Sequence, residues 1–412
     1  MTAQPVEAEP DAPLASPAVA ASATGVTRSG AARIEGIDAL RGLVIVLMVL
    51  DHVRDFFHRT AFTADPLALG DAGDPALFMT RWVTHLCAPT FVFLAGVSVW
   101  LQRANGKSRP DLTWFLLTRG LWLIVLELTL VQWGFNFGPG VFLQVIWAIG
   151  ASMLALAALI WLPRTVVLAL GVLIVAGHQA LAGVEPADLG PAGPVWRLAM
   201  EFGPTPFVQG FLAYPFAPWL GIMLMGYGLG GLFALSSPVR TRAVLILAGG
   251  LLTGFAVLRA LNGYGDPQPW SDQSDGLWTA LSFINVAKYP PSLDFVLVTL
   301  GVSLALLPLL ERLWRPALGV LLTFGRTPLF TYLLHIWLAH GLALLVGVAM
   351  GIPPTAFFNM LGDPGRLIDA GWGFGLPPVY GFWLLTLALL YPLSRWFEGV
   401  KRRRRDWWLG YL

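Results

Sequence analysis

Runs of about twenty apolar residues recur along this chain, each long enough to cross a hydrocarbon core about 30 Å thick. Ten are readable, at approximately 36–57, 80–102, 112–134, 139–162, 164–183, 212–235, 240–262, 290–313, 325–350 and 376–399. Lipid offers no water to backbone N–H and C=O groups, so a chain built of such runs satisfies them within helices. The expectation is an all-α, polytopic integral membrane helix bundle of about ten transmembrane helices, set in a cytoplasmic (inner) membrane. Charged residues make up 12% of the chain against about 25% for a soluble domain, which excludes the soluble and coiled-coil classes. The 18 tryptophans suit aromatic belts at the two interfaces. A net charge of +2 gives no reason to expect a nucleic-acid partner, and Cys87, the one cysteine, permits no intrachain disulfide.

Residues 1–33, rich in Ala, Pro, Ser and Thr, lack the basic and apolar regions of a signal peptide and read as a disordered tail. Residues 34–400 form the multi-span domain, and 401–412 a basic cytoplasmic tail. With the N-terminus in the cytoplasm, fifteen of the 26 Lys and Arg residues fall on that side, Lys401 to Arg405 among them. The longer loops, 58–79, 184–211, 263–289 and 351–375, are rich in Asp, Gly, Pro and Trp and fall outside. The topology read from this alternation is N-in and C-in.

An ionisable group within a spanning segment is unfavourable by a few kcal/mol on insertion scales and therefore faces protein or water. The first segment, GIDALRGLVIVLMVLDHVRDFF, places Asp38, Arg41, His52 and Asp55 on one helical stripe. At 1.5 Å per residue, Arg41, Arg119 and Arg326 lie near the cytoplasmic end of their segments, and His52, His85, Glu127 and Gln144 near the opposite end. Three arginines at one level suit a phosphate or pyrophosphate, because guanidinium offers bidentate, always-charged donors. Pairing with a carboxylate such as Asp38 is the plainer reading of any one of them. A histidine beside Asp or Glu can act as a general base near neutral pH, whereas His85, His335 or His340 taken alone is more often a packing residue. His58 and His178, near loops or a helix end, receive no role.

No G-x-x-x-x-G-K-[ST], C-x-x-C, H-E-x-x-H or G-x-S-x-G motif occurs, so nucleotide hydrolysis, zinc chemistry and serine hydrolysis have no support, and no metal site is expected. A proton-coupled transporter or exporter of a small anionic solute stays open as the alternative, with the same His and Asp residues relaying protons.

The blocks RIEGIDALRGLVIVLMVLDHVRDFF, THLCAPTFVFLAGVS, GVFLQVIWAIGAS, YPFAPWLGIMLMGYGLG, KYPPSLDFVLVTLG and FGRTPLFTYLLHIWLAH occur in this order. Together they resemble the bacterial DUF1624 membrane proteins, which are similar to the catalytic domain of heparan-alpha-glucosaminide N-acetyltransferase. The D-x-x-R-G opening is also similar to the first helix of the wider transmembrane acyltransferase superfamily. The resemblance implies transfer of an acyl group, acetyl from acetyl-CoA, across the bilayer to a glycan-type or other hydroxyl or amine acceptor. It matches His52 and Arg41 to the superfamily's first-helix histidine and arginine, and His335 with Tyr332 to a late Y-x-x-H block. The expected site is thus His52, His85, His335, Asp55 and Glu127 for chemistry, with Asp51, Asp55 or Glu127 orienting a histidine. Gln144 or Tyr332 would donate to the carbonyl oxygen, and Arg41, Arg119 and Arg326 would hold the donor's phosphates. The late block departs from the family pattern, and residues 60–79 hold no histidine where the lysosomal enzyme carries one.

Overall fold

The computed structural model describes residues 1–2, 34–60, 63–313, 315–363, 365–404 and 406–411. The chain divides into two units, Met1–Arg33 and Ile34–Leu412, and the account below concerns the second. The tail expected at residues 1–33 lies outside the described residues apart from Met1 and Thr2.

The structure is 74% helical with almost no strand, as an all-α membrane protein requires. Helix α1 runs Glu35–Phe57, with Glu35 and Asp38 in its first turn and Arg54 in its last, charges that complement the helix dipole. Helix α2 (Pro75–Thr84) opens on Asp74, whose carboxylate accepts from the N–H groups of Ala76 and Leu77, with proline at the first helical position. A break at His85–Leu86 separates it from α3 (Cys87–Ala104). Helix α4 (Arg109–Leu126) passes into a π-helical turn, Glu127–Val131, and then α5 (Gln132–Asn136). Next come α6 (Val145–Leu159), α7 (Arg164–Gly177), the short α8 (Gly193–Met200), α9 (Phe216–Leu229) and α10 (Ser237–Leu261). The chain continues through α11 (Gly276–Ile284), α12 (Leu293–Leu310), α13 (Arg315–Arg326), α14 (Pro328–Ala349), the short α15 (Gly365–Asp369) and α16 (Leu376–Arg403).

Every expected span contains a helix, and among the described residues eight helical stretches are long and apolar enough to cross a membrane. Two expected spans fall outside that set for physical reasons. Helix α6, preceded by a two-residue strand at Phe142–Leu143, is shorter than its apolar run. Helix α1 is too charged to pass as a lipid-facing helix, and the fold shows why it need not be one. It is packed on all sides by α2, α3, α12, α13, α14 and α16, with most of its residues buried. The peripheral α7, α10 and α16 instead expose most of their length, as lipid-facing helices do. Helix α13, between the eighth and ninth expected spans, lies against the first turns of α1. There a Cβ at Gly42 would strike the Leu321 carbonyl and one at Gly325 the Asp38 carbonyl, so only glycine admits this approach.

Opposite the basic loops, a three-stranded patch joins Phe142–Leu143, Phe211–Leu212 and Gly203–Pro204. Two tryptophans secure α1 from later in the chain, Trp383 donating to the Val46 carbonyl at 2.9 Å and Trp372 to that of Phe56 at 2.8 Å.

Candidate active site

The C-terminal turns of α1 present Asp51, His52, Arg54 and Asp55 to a cavity of about 520 Å³, within the size range of small-molecule sites. Around them stand His58 and Thr60, Arg81 of α2, Phe135 and Phe142, Phe202 and Phe211, and the loop residues Tyr214, Lys288 and Tyr289. The floor is polar and the walls are aromatic.

His52 meets His335 of α14 here, its Nδ1 lying 2.6 Å from Nε2 across 283 residues of sequence. The rings stack at 4.9 Å, and Phe135 closes edge-on against His52 at 5.0 Å. Hydrogen-bond logic then fixes the protons. The Thr331 carbonyl, 3.2 Å from His335 Nδ1, can only accept, so Nδ1 of His335 carries hydrogen and its Nε2 accepts from His52 Nδ1. His52 is left with a lone pair on Nε2, the form a general base needs. The sequence names both histidines; their pairing is a product of the fold.

The carboxylates expected to orient a histidine are engaged elsewhere. Both oxygens of Asp51 accept from Arg81 Nη1, at 2.7 and 2.6 Å, while Thr84 donates to it at 2.9 Å and Arg54 lies 3.1 Å away. Asp55 is paired with Arg54 at 2.5 Å. Asp51, His52 and Asp55 offer ligand atoms within 4.8 Å of one another, but the two guanidinium groups already hold these carboxylates and oppose a metal cation. The Asp51–Arg81–Thr84 cluster was not read from the sequence because Arg81 stands at the edge of an apolar run, where a cation reads as a topology marker.

Glu127 is not beside a histidine as expected. Its Oε2 accepts from the Trp147 N–H at 2.9 Å, so it caps the N-terminus of α6 from a neighbouring helix, and the π-helical turn delivers it there. His85 lies in the break between α2 and α3, buried edge-on to Phe295 and away from the cavity lining, and among the described residues neither ring nitrogen has a hydrogen-bond partner. Tyr332 is buried with its ring 5.5 Å from that of His335; among the described residues neither its hydroxyl nor the amide nitrogen of Gln144, on the cavity wall, has a partner. His340 faces the carbonyls of Gly134 and Phe357 at 2.8 and 2.9 Å and stacks on Phe137, a packing role. His58 donates to or accepts from Thr60 at 2.9 Å, and burial and the adjacent arginines Arg54 and Arg59 hold its pKa below the usual value.

At the other end of α1 the structure gathers two of the expected arginines about one carboxylate. Asp38 lies 3.3 Å from Arg41 and 3.8 Å from Arg326, and Arg326 also pairs with Glu398 at 2.9 Å. Arg41 further donates to Ser98. Arg402 joins Glu398 at 2.6 Å. Among the described residues Arg41, Arg326 and Arg402 share the carboxylates of Asp38 and Glu398, and Arg41 and Arg326 keep about a fifth of their side-chain surface open. Arg119 donates at 2.6 Å to the carbonyl of Gly410, in a 3₁₀ turn, Trp407–Tyr411, docked on α4. Guanidinium groups that keep part of their surface open suit phosphate groups.

Among curated proteins no match to this chain is found. Residues 33–258, more than half of the chain, match the family described as heparan-alpha-glucosaminide N-acetyltransferase, catalytic. That stretch includes α1 with Arg41 and His52, Arg81, Arg119 and Glu127, while Lys288, Arg326 and His335 lie beyond it. A charged first helix enclosed by a membrane bundle, with a histidine at one end and an arginine at the other, is carried by a chain that belongs to the heparan-alpha-glucosaminide N-acetyltransferase catalytic family.

Proposed function

We propose that this protein is an inner-membrane acyltransferase that moves an acetyl group from cytoplasmic acetyl-CoA to a hydroxyl or amine acceptor held in the cavity at the outer end of α1. The observation that carries this reading is the His52–His335 contact, which leaves His52 Nε2 unprotonated at the cavity floor.

Arg41, Arg119 and Arg326 bind the donor's phosphates at the inner level. Arg41 and His52 are eleven residues apart on one helix, roughly 16 Å along its axis, which suits the length of an extended pantetheine arm. His52 takes the acceptor's proton through Nε2 as the acceptor oxygen or nitrogen bonds to the acyl carbon. It returns that proton to sulfur as the carbon–sulfur bond breaks, so protons and bonds balance without a further reactant. Asp51 and Asp55, within 4.8 Å, stabilise the transient imidazolium through charge alone. Gln144 on the cavity wall and Tyr332, its ring 5.5 Å from that of His335, have donors unpartnered among the described residues and supply hydrogen bonds to the carbonyl oxygen as charge develops there.

The test is acetyl-CoA binding and turnover by purified protein, followed as thermal shift and as CoA release with sugar amines and hydroxyls present. Binding by wild type and release of CoA lost in His52→Ala are the expected results. Solute uptake into vesicles without any acetyl-CoA binding would replace this reading by a transporter.

A further inference from the structure

The cavity has a charge left over. Three cations line its inner wall, Arg54, Arg81 and Lys288, against two carboxylates, Asp51 and Asp55. The carboxylates are taken up by the arginines at 2.5 to 3.1 Å. Asp65, the remaining acid of the lining, is exposed at the rim, where it accepts from the Leu67 N–H at 2.9 Å. Among the described residues no carboxylate comes within ion-pair distance of Lys288. Its ammonium instead lies over two phenol rings, 5.0 Å from the centre of Tyr289 and 5.7 Å from that of Tyr214, with the residue only 7% exposed.

A buried lysine without a counter-ion is unfavourable, and lysine is rarely buried unless paired. The rings offset part of that cost, since each cation–π contact contributes about 0.5–2 kcal/mol, but leave the charge itself uncancelled. The surroundings respond to the same excess. Burial alone would push the Tyr289 phenol up, yet Lys288 and Arg81, whose Nη2 lies 3.4 Å from the hydroxyl, hold its pKa below the usual value. The position is also held firmly. Lys288 and Pro291 form a backbone bridge, and the N–H of Ala287 is fixed by Asp266 at 2.8 Å.

We propose that the acceptor carries an oxyanion, a carboxylate, sulfate or phosphate, which sits on Lys288 beside Tyr214 and Tyr289, and that this contact selects acidic acceptors over neutral ones. The assignment rests on the cavity being the acceptor's seat, as proposed above. It adds a specificity-determining residue beyond the matched stretch, in the loop that leads into α12. An oxyanion on Lys288 completes the charge balance of the wall and leaves the aromatic faces of Phe202 and Phe211 for the uncharged part of the molecule.

The experiment measures binding of three probes to the full-length protein in detergent, by calorimetry, without acetyl-CoA: glucuronate, glucose and inorganic pyrophosphate. Wild type should bind glucuronate at least about tenfold more tightly than glucose, the scale of one charge-assisted contact. Lys288→Gln should erase that preference, Lys288→Arg should keep most of it, and unchanged acetyl-CoA binding shows that each variant is folded. Equal affinity for the two sugars in wild type, or a preference that survives Lys288→Gln, overturns the proposal. Pyrophosphate competing with glucuronate as a simple oxyanion supports it, whereas CoA displacing glucuronate with the same Lys288 dependence overturns it, by assigning the site to the donor's phosphates. A wild type that prefers glucuronate but does not bind acetyl-CoA would sink the acyltransferase reading and leave the anion site standing.

Discussion

His52 owes its basic nitrogen to a proton held on the far side of the neighbouring ring, on His335 Nδ1 against the Thr331 carbonyl. His52→Ala should therefore abolish acetyl transfer and leave acetyl-CoA affinity nearly unchanged, the signature of an interaction made chiefly in the transition state. Replacing His335 by Phe keeps a ring but removes the acceptor for His52 Nδ1, so the tautomer is no longer fixed. We expect kcat to fall by about a hundredfold with little change in KM for acetyl-CoA, a scale typical of acid–base catalysis. A change confined to KM would place His335 in binding. His85→Ala should cost stability more than turnover, because no atom of that ring reaches the cavity. At the inner level, Gln in place of Arg41, Arg119 or Arg326 should weaken donor binding by about 1.5–3 kcal/mol each and reduce its salt dependence. Unchanged affinity in all three variants would remove the phosphate cradle.

Among the elements, α1 was legible in its charges and illegible in its surroundings. Four polar residues on one stripe announce a protein-facing helix, but which helices enclose it depends on contacts hundreds of residues apart. The same limit explains Glu127. A buried glutamate among apolar neighbours reads as a candidate acid, and only the π-helical turn and the distant start of α6 reveal it as a cap. Lys288 escaped for the opposite reason, since a lysine between two apolar runs reads as an ordinary loop residue. The close approach of α13 to α1 carries its own test. Gly42→Ala should destabilise the protein by about 1–3 kcal/mol through overpacking against Leu321, seen as a lower melting temperature in detergent. It should also weaken acetyl-CoA binding, because Arg41 and Arg326 approach Asp38 across that contact. Gly381→Ala on α16, with open space around it, should do neither.

Across the whole molecule, the alternation of basic loops with loops rich in Asp, Gly and Pro makes orientation a direct measurement. Reporter fusions after residues 70, 107 and 272 should read outside, inside and outside, and a cytoplasmic signal at residue 70 would reverse the sidedness of donor and acceptor. The final turn, Trp407–Tyr411, adds a consequence of another kind. Gly410 gives its carbonyl to Arg119, Tyr411 meets Thr118 at 2.7 Å, and Trp407 remains 81% exposed. If Arg119 takes a donor phosphate, as proposed, that carbonyl is displaced and the Trp407–Tyr411 turn loosens from α4. On that reading the turn is a latch that ligand opens, and the emission of Trp407, 81% exposed, becomes a clock of donor occupancy that needs no acceptor.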